Sequence, residues 1–292
     1  MDTASAMQMQ RQHRLASRRA SQRRWRVAGY VILAIMVLWT LLPLYWMALT
    51  PLKSNKEIYD TGRLFPSRIY LGHYQKLFTG PFMIWVRNSF IVAASTVILA
   101  TAISTLAAYA ITRLHFTGRG AVSRSLIFVY LVPGTLLFIP LFTIVAALHL
   151  VDTLYSLVLV YLTFNVPLCT WLLVGYFKTL PEDIEHAALI DGCNRVQVLT
   201  RVMIPMSVPA IAVVALFAFV RSWNEFFYAL IFTTSVETRT AMVGLNSMFG
   251  DDVFFWGQMM GGAVLTTIPT VIIYIAAQRW IVGGLTMGSM KG

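Results

Sequence analysis

The sequence predicts an all-α protein that crosses a membrane six times. Of its 292 residues, 58% are hydrophobic and only 12% are charged, about half the charged share of an ordinary soluble domain. Mean hydropathy is +0.69. Apolar runs of roughly 20 residues recur, each long enough as a helix to cross a hydrocarbon core about 30 Å thick. The charges fall mostly between these runs.

Residues 1–27 are polar and carry seven arginines against one acid, Asp2. This reads as a basic cytoplasmic tail without fixed structure, because positive flanks hold their side of a span in the cytoplasm. The first span is placed at about 28–50, with Tyr45 and Trp46 at its far end where an aromatic belt lies. It is too long for a signal peptide and lacks a cleavage site of small residues. Residues 51–85 form a loop with Pro66, Gly72, Gly80 and Pro81. The second span is placed at about 86–111, and a short loop with Arg113, Arg119 and Arg124 follows it. The third, at about 125–148, contains Pro133 and Pro140, and the fourth, at about 154–177, contains Pro167. Prolines at membrane depth imply kinks satisfied by neighbours or water. The fifth span is placed at about 206–233 and the sixth at about 258–280, separated by a loop with Glu237, Arg239, Asp251 and Asp252. The transmembrane domain thus occupies 28–281, and 282–292 form a second short tail. With both termini inside, 15 Lys/Arg lie on the inner side and seven on the outer, Arg221 falling within a span. That bias places both termini in the cytoplasm. The net charge of +11 is accounted for by these flanks, which removes the reason to invoke a nucleic-acid partner.

Between the fourth and fifth spans lies a polar island, 178–205. Pro181 followed by Glu182 and Asp183 marks a helix start, since proline suits the first turn and acids suit the positive end of the helix dipole. Gly192 is placed to end that helix in a left-handed conformation. A second helical stretch, Arg195 to Ile204, leads to Pro205 and the next span. On physics alone, an interfacial helix pair lying on lipid is an open alternative to a docking element.

At these residues a resemblance enters. His186-Ala187-Ala188, three residues, Gly192, nine residues, then Val202-Met203-Ile204-Pro205 is similar to the cytoplasmic signature of permease subunits of bacterial ATP-binding-cassette importers. That signature reads Glu-Ala-Ala, three residues, Gly, nine residues, Ile, one residue, Leu-Pro. His186 departs from it, and Glu185 stands just before. Trp223-Asn224-Glu225-Phe226 resembles a tetrapeptide of carbohydrate-importer permeases, and residues 278–292 resemble the end of a maltose-type permease subunit. The resemblance leaves out only residues 1–27. It implies a bacterial inner-membrane permease subunit that works with a second, related permease, two ATPase subunits and an extracytoplasmic solute-binding protein. Glu185, His186, Ala187, Ala188, Asp191 and Gly192 become the coupling contact to the ATPase, with Glu185 as the substitute for the signature glutamate. Gly288, Ser289 and Lys291 become a tail contact to the same partner.

The chain itself lacks catalytic machinery. It has no GxxxxGK[ST] phosphate loop and no Gly-Lys pair, so ATP and Mg²⁺ are expected in the partner ATPase and no cofactor in this chain. The two cysteines, Cys169 and Cys193, and the five scattered histidines form no metal-ligand spacing. Within the fifth span, Arg221 and Glu225 are four apart and so share a face on a continuous helix, with Asn224 and Tyr228 nearby. Two readings stay open for this group: a wall of the solute path, or an internal ion pair that fixes packing. The functional expectation is import of a sugar or sugar-like solute. The alternatives are a glycerol-phosphate or other non-sugar importer of the same class, for which Arg221 suits a phosphate, and an ion-driven secondary transporter.

Overall fold

The computed structural model describes residues 3–60, 62–249 and 255–289. Every regular element among them is helical. The chain divides into two compact units, residues 1–70 and 71–292.

The first unit is built on α1 (Thr3–Leu49), followed by a 3₁₀ turn at Thr50–Leu52 and the short α2 (Asn55–Ile58). Helical backbone runs through the arginine-rich stretch rather than beginning after it. Ser54 and Glu57 close a capping box at α2, and the Glu57 carboxylate also accepts from the amide and hydroxyl of Ser67. Hydrogen bonding from Ser67, then from Ser54, holds the Glu57 carboxyl down at about 2.

The second unit comprises α3 (Gly72–Thr79), α4 (Phe82–Arg113), α5 (Arg119–Leu131), α6 (Phe138–Ala147), α7 (Leu154–Phe177), α8 (Glu182–Ile190), α9 (Arg195–Val198), α10 (Ile204–Trp223), α11 (Phe227–Phe232), α12 (Ala241–Asn246) and α13 (Trp256–Ser289). Helices α4 and α7 form the central pair. Helix α10 lies against both, α13 against α10, and α5 against α7. Helix α4 carries a stripe of small side chains toward its neighbours, Ala93 packing with Phe219 and Trp223 of α10 and Ala108 with the Leu173 and Phe177 cluster of α7. Ala93, Thr96, Ala100, Ser104 and Ala108 of α4, three or four residues apart, are all fully buried. Small residues at that spacing let two backbones approach closely, which is the main source of helix association in lipid. The Ser104 hydroxyl donates across to the Val166 carbonyl of α7 at 3.1 Å.

Five helical stretches among the described residues are long and apolar enough to cross a membrane: 25–52, 82–113, 154–177, 195–223 and 256–280. The expected third span, 125–148, is not one helix. Helix α5 ends at Leu131, and Val132 and Pro133 are extended (ψ 123° and 120°). A 3₁₀ turn at Gly134–Leu137 then leads into α6. The cause is Pro133, which has no N–H for the carbonyl of Val129 and pushes Val132 out of the helical region.

The expected fifth span, 206–233, is likewise two pieces, and it starts earlier. A π turn at Leu199–Met203 joins α9 to α10, so helix is continuous from Arg195 to Trp223. It stops where the Asn224 side-chain amide donates to the Val220 carbonyl at 2.8 Å. Glu225 opens the next helix, its carboxylate accepting from the amides of Tyr228 (2.9 Å) and Ala229 (3.0 Å). Arg221 and Glu225 therefore do not share a helix face, and the four-residue pairing expected from a continuous span is replaced by a helix end and a new helix start.

At the end of the bundle opposite α8, Asp152 (φ 60°) clasps two loops. Its Oδ1 accepts from the amides of Thr234 (2.8 Å) and Ser235 (3.1 Å) and from the Thr238 hydroxyl. Burial pushes this carboxyl up. The Thr238 hydroxyl and the two amides outweigh burial and hold it well below the ordinary carboxylate range.

Candidate functional site

Helix α8 is delimited by local chemistry at both ends. Pro181 sits at its N-cap in an extended conformation (φ −58°, ψ 132°), and Glu182, Asp183 and Glu185 fill its first turn. At the other end, Gly192 is left-handed (φ 85°). Its amide donates to the Leu189 carbonyl (3.1 Å), while the Cys193 amide donates to Ala188 (3.0 Å). This is the Schellman arrangement that a glycine at that position favours. Asn194 and Gln197 then close a reciprocal capping box that restarts the helix.

Nine residues make two and a half turns, and the faces separate cleanly. Asp183, His186, Ala187 and Ile190, spaced 3, 1 and 3, point out and are exposed, Ile190 by 86%. Glu185, Ala188 and Leu189 point in. Ala188 and Leu189 pack on the apolar cluster that contains Leu173, Phe177, Val198 and Met203.

Glu185 is 3% exposed, and its carboxylate is enclosed by Tyr109, Arg113 and Arg195. Its Oε1 accepts from the Tyr109 hydroxyl (2.9 Å) and from Arg195 (2.8 Å). Its Oε2 lies 2.9 Å from Arg113 Nε, an ion pair approached off the axis of a linear hydrogen bond. Arg113 is the last residue of α4, and Tyr109 stands one turn before it. The same guanidinium donates to the carbonyls of Phe177 and Leu180, both at 2.9 Å, and lies 3.5 Å from the exposed Glu182. It thereby supplies donors at the end of α7, where helical carbonyls run out of amide partners. One arginine ties the ends of α4 and α7 to α8. Glu185 is thus an internal anchor rather than an outward substitute for the signature glutamate, and His186 occupies the outward position. Asp191 and Gly192 form the exposed corner beside it.

Neither Tyr109 nor Arg113 stood out in the sequence, where Arg113 counted only as a positive flank. The available signal was the position of Glu185, three and four residues before the inward Ala188 and Leu189.

The four intramembrane candidates separate into two roles. Glu225 and Tyr228 hold the two helix breaks together. Tyr161 donates to Glu225 at 2.8 Å, and the Tyr228 hydroxyl donates to the Gly134 carbonyl at 2.5 Å, binding the α10–α11 break to the α5–α6 break. Arg221 and Asn224 are exposed on the surface of the chain. Of the expected tail contacts, Gly288 and Ser289 close α13. Lys291 and the surroundings of all three side chains lie outside the described residues, as do Asp251 and Asp252.

Residues 100–286 match the family described as binding-protein-dependent transport system inner membrane component. The chain belongs to this family. The permease is similar to the inner membrane ABC transporter permease protein YcjP of Escherichia coli K12, 36% identical over 271 residues that cover 91% of this chain and 97% of the relative. It is also similar to the trehalose/maltose transport system permease protein MalG of Thermococcus litoralis, 34% identical and covering 91% and 96% of the two chains. Its fold resembles a chain of a bacterial ABC transporter involved in the import of the acidic polysaccharide alginate. The TM-score is 0.78 at 23% identity, over 89% of this permease and 97% of that chain.

Proposed function

We propose that this permease is one of two related membrane subunits of an ATP-driven importer for a sugar or sugar-like solute. It sits in the bacterial inner membrane with both termini in the cytoplasm. The carbohydrate relative named above and the 15-to-seven bias of Lys/Arg support this reading. ATP and Mg²⁺ belong to a pair of partner ATPase subunits, and a solute-binding protein delivers the solute on the far side. Gly288, Ser289 and Lys291 reach toward the ATPase pair.

The observation that carries the coupling role is the outward stripe of α8. Ile184, Ala187 and Ile190 are apolar and exposed at a charged tip of the molecule, which marks a surface made for a protein partner. His186 and Asp183 flank the small Ala187, so a partner's cleft can approach the backbone closely. Glu185, from within, fixes this helix to the ends of α4 and α7. Movement of the docked ATPase then reaches the spans.

The test is co-purification and transport. Ala187→Trp is expected to abolish co-purification of the ATPase subunit while the permease still inserts and pairs with its membrane partner. Uptake into proteoliposomes of the complete importer is expected to require ATP and to persist when ion gradients are collapsed. Uptake that follows a proton or sodium gradient and ignores ATP overturns the reading.

A further inference from the structure

The loop after the first span turns back onto it. The Tyr45 hydroxyl of α1 donates to the Leu64 carbonyl (3.2 Å), and its ring meets Phe65 edge-on with centroids 5.9 Å apart. From this contact we infer that Leu64 and Phe65 form a membrane foot, two apolar side chains seated at the border between the acyl chains and the headgroups of a phospholipid bilayer. The partner is lipid, whatever solute the permease carries.

Depth is the first argument. Helix α1 runs from Thr3 to Leu49, and its apolar stretch begins at Trp25. Trp25 and Tyr45 are 20 residues apart, about 30 Å at 1.5 Å per residue, which is the thickness of a hydrocarbon core. The two residues thus mark its two borders, where Trp and Tyr concentrate. Leu64 and Phe65 are tied to one of these borders, although they belong to a stretch that hydropathy assigns to water. They are 58% and 68% exposed. Two large apolar side chains held next to each other at this depth, and left uncovered by their own chain, suit the boundary layer of lipid.

The second argument is that the foot is preformed. Lys53 is 2% exposed, its ammonium donating to the Arg63 carbonyl (2.6 Å) and lying 4.6 Å from the centre of the Trp46 ring. The Glu57 carboxylate accepts from Ser54 and from Ser67 and so joins the two limbs of the loop. The Tyr70 amide closes it on the Leu52 carbonyl (2.9 Å), and Pro66 restricts the backbone just after Phe65. The conformational entropy of this loop is therefore lost on folding rather than on insertion.

The third is charge. Glu57 and Asp60, the two acids of the loop, are both paired with Arg63 (3.7 and 2.9 Å), which limits their repulsion of phosphate. Lys56 and Arg68 are exposed cations. Arg68 lies two residues before Tyr70, which is bonded to Leu52, seven residues or about two turns beyond Tyr45. It therefore stands further out than the foot, and a long cationic side chain at that height reaches back to headgroup phosphates. Apolar groups at the border with basic groups outside them follow the layering of a bilayer, and this order favours lipid over a partner subunit.

The experiment uses the full-length permease in phosphatidylcholine nanodiscs, alone and in the complete importer with cysteine-free partner subunits. Cys169 and Cys193 are replaced by serine, and a bimane fluorophore is attached at Phe65→Cys. Ile35→Cys, ten residues from Trp25 and 60% exposed, serves as the mid-depth reference in the permease alone. Quenching is measured with lipids carrying a nitroxide at acyl carbon 5 or carbon 16, and with aqueous iodide. At Phe65→Cys the carbon-5 nitroxide is expected to quench at least twofold more strongly than the carbon-16 nitroxide, with and without the partner subunits. At Ile35→Cys the order is expected to reverse, and failure to reverse overturns the assigned depth. Leu64→Cys is expected to repeat the Phe65→Cys pattern, which separates the position of the loop from any effect of losing the Phe65 ring. Quenching by iodide alone puts the foot in water, and quenching by none of the three in the complete importer means a partner subunit covers it; either result overturns the inference. ATP-driven uptake is scored separately, so the importer reading stands or falls on its own test.

Discussion

Replacing Glu185 by alanine is expected to release helix α8 from the bundle while the spans stay folded. The carboxylate and the Arg113 side chain are 4% and 5% exposed. Removing one partner of a buried ion pair costs about 3–5 kcal/mol, because the other charge stays behind in poor surroundings. Arg113 keeps the carbonyls of Phe177 and Leu180, which puts the value at the lower end, about 3 kcal/mol. The Arg195 arm adds at most about 1 kcal/mol, since that side chain is 52% exposed and its charge is screened by water. A helix of nine residues does not persist without tertiary support, so this loss falls on α8 itself. About 3 kcal/mol corresponds to a roughly hundredfold rise in local opening. Hydrogen exchange of the Ala187–Ile190 amides, measured on the purified permease in nanodiscs, reads that quantity directly. Glu185→Gln keeps an acceptor for Tyr109 and is expected to fall between wild type and Glu185→Ala. His186→Ala is expected to leave exchange unchanged and to weaken ATPase co-purification. Exchange within threefold of wild type in Glu185→Ala would falsify the anchoring argument, whatever happens to transport.

Gly192→Ala places a Cβ at φ 85° and is expected to cost about 1–2 kcal/mol, seen as faster exchange at Cys193 and Gly192 with no loss of membrane insertion. Ala100→Leu adds bulk to a fully buried position on the central pair and is expected to destabilise the permease by about 1–3 kcal/mol, read as a lower midpoint in unfolding from mild to harsh detergent. The Asp152 clasp has a definite pH sign. Its folded carboxyl titrates below the ordinary 3.8, so its contribution is complete above that value and is lost as pH falls through the folded value. Proteolysis of the 233–240 loop with an acid-active protease is expected to be flat from neutral pH to about pH 4 and to rise below it. Asp152→Asn is expected to raise the cleavage rate at neutral pH and flatten the dependence.

The parts legible in the sequence were those written in local chemistry. Pro181, the acids of the first turn and Gly192 delimit α8 because helix ends are decided by neighbouring side chains and by which residue tolerates a left-handed turn. The uninterrupted spans were legible because hydropathy responds to length and composition. The same measure is blind to backbone hydrogen bonding, so it does not register the break at Val132–Gly134, where the residues stay apolar while the helix stops, and it averages Asn224 and Glu225 at the second break into the long apolar runs on either side. Glu185 was misread for another reason. A signature motif names residue types, whereas which face they occupy follows from helical spacing, and one position along a helix turns a side chain by about 100°.

The π turn at Leu199–Met203 has a mechanical consequence. Because α9 runs through it into α10 without a loop, Arg195 and Arg221 ride on one rod, 26 residues apart and so about 39 Å from end to end. One arginine grips α8 through Glu185, and the other lies against the Phe164 ring of α7. The π turn and Pro209, which lies inside α10, are the two points between them where such a rod bends, so a shift imposed at the grip reaches the far end through these two points and not through a loop.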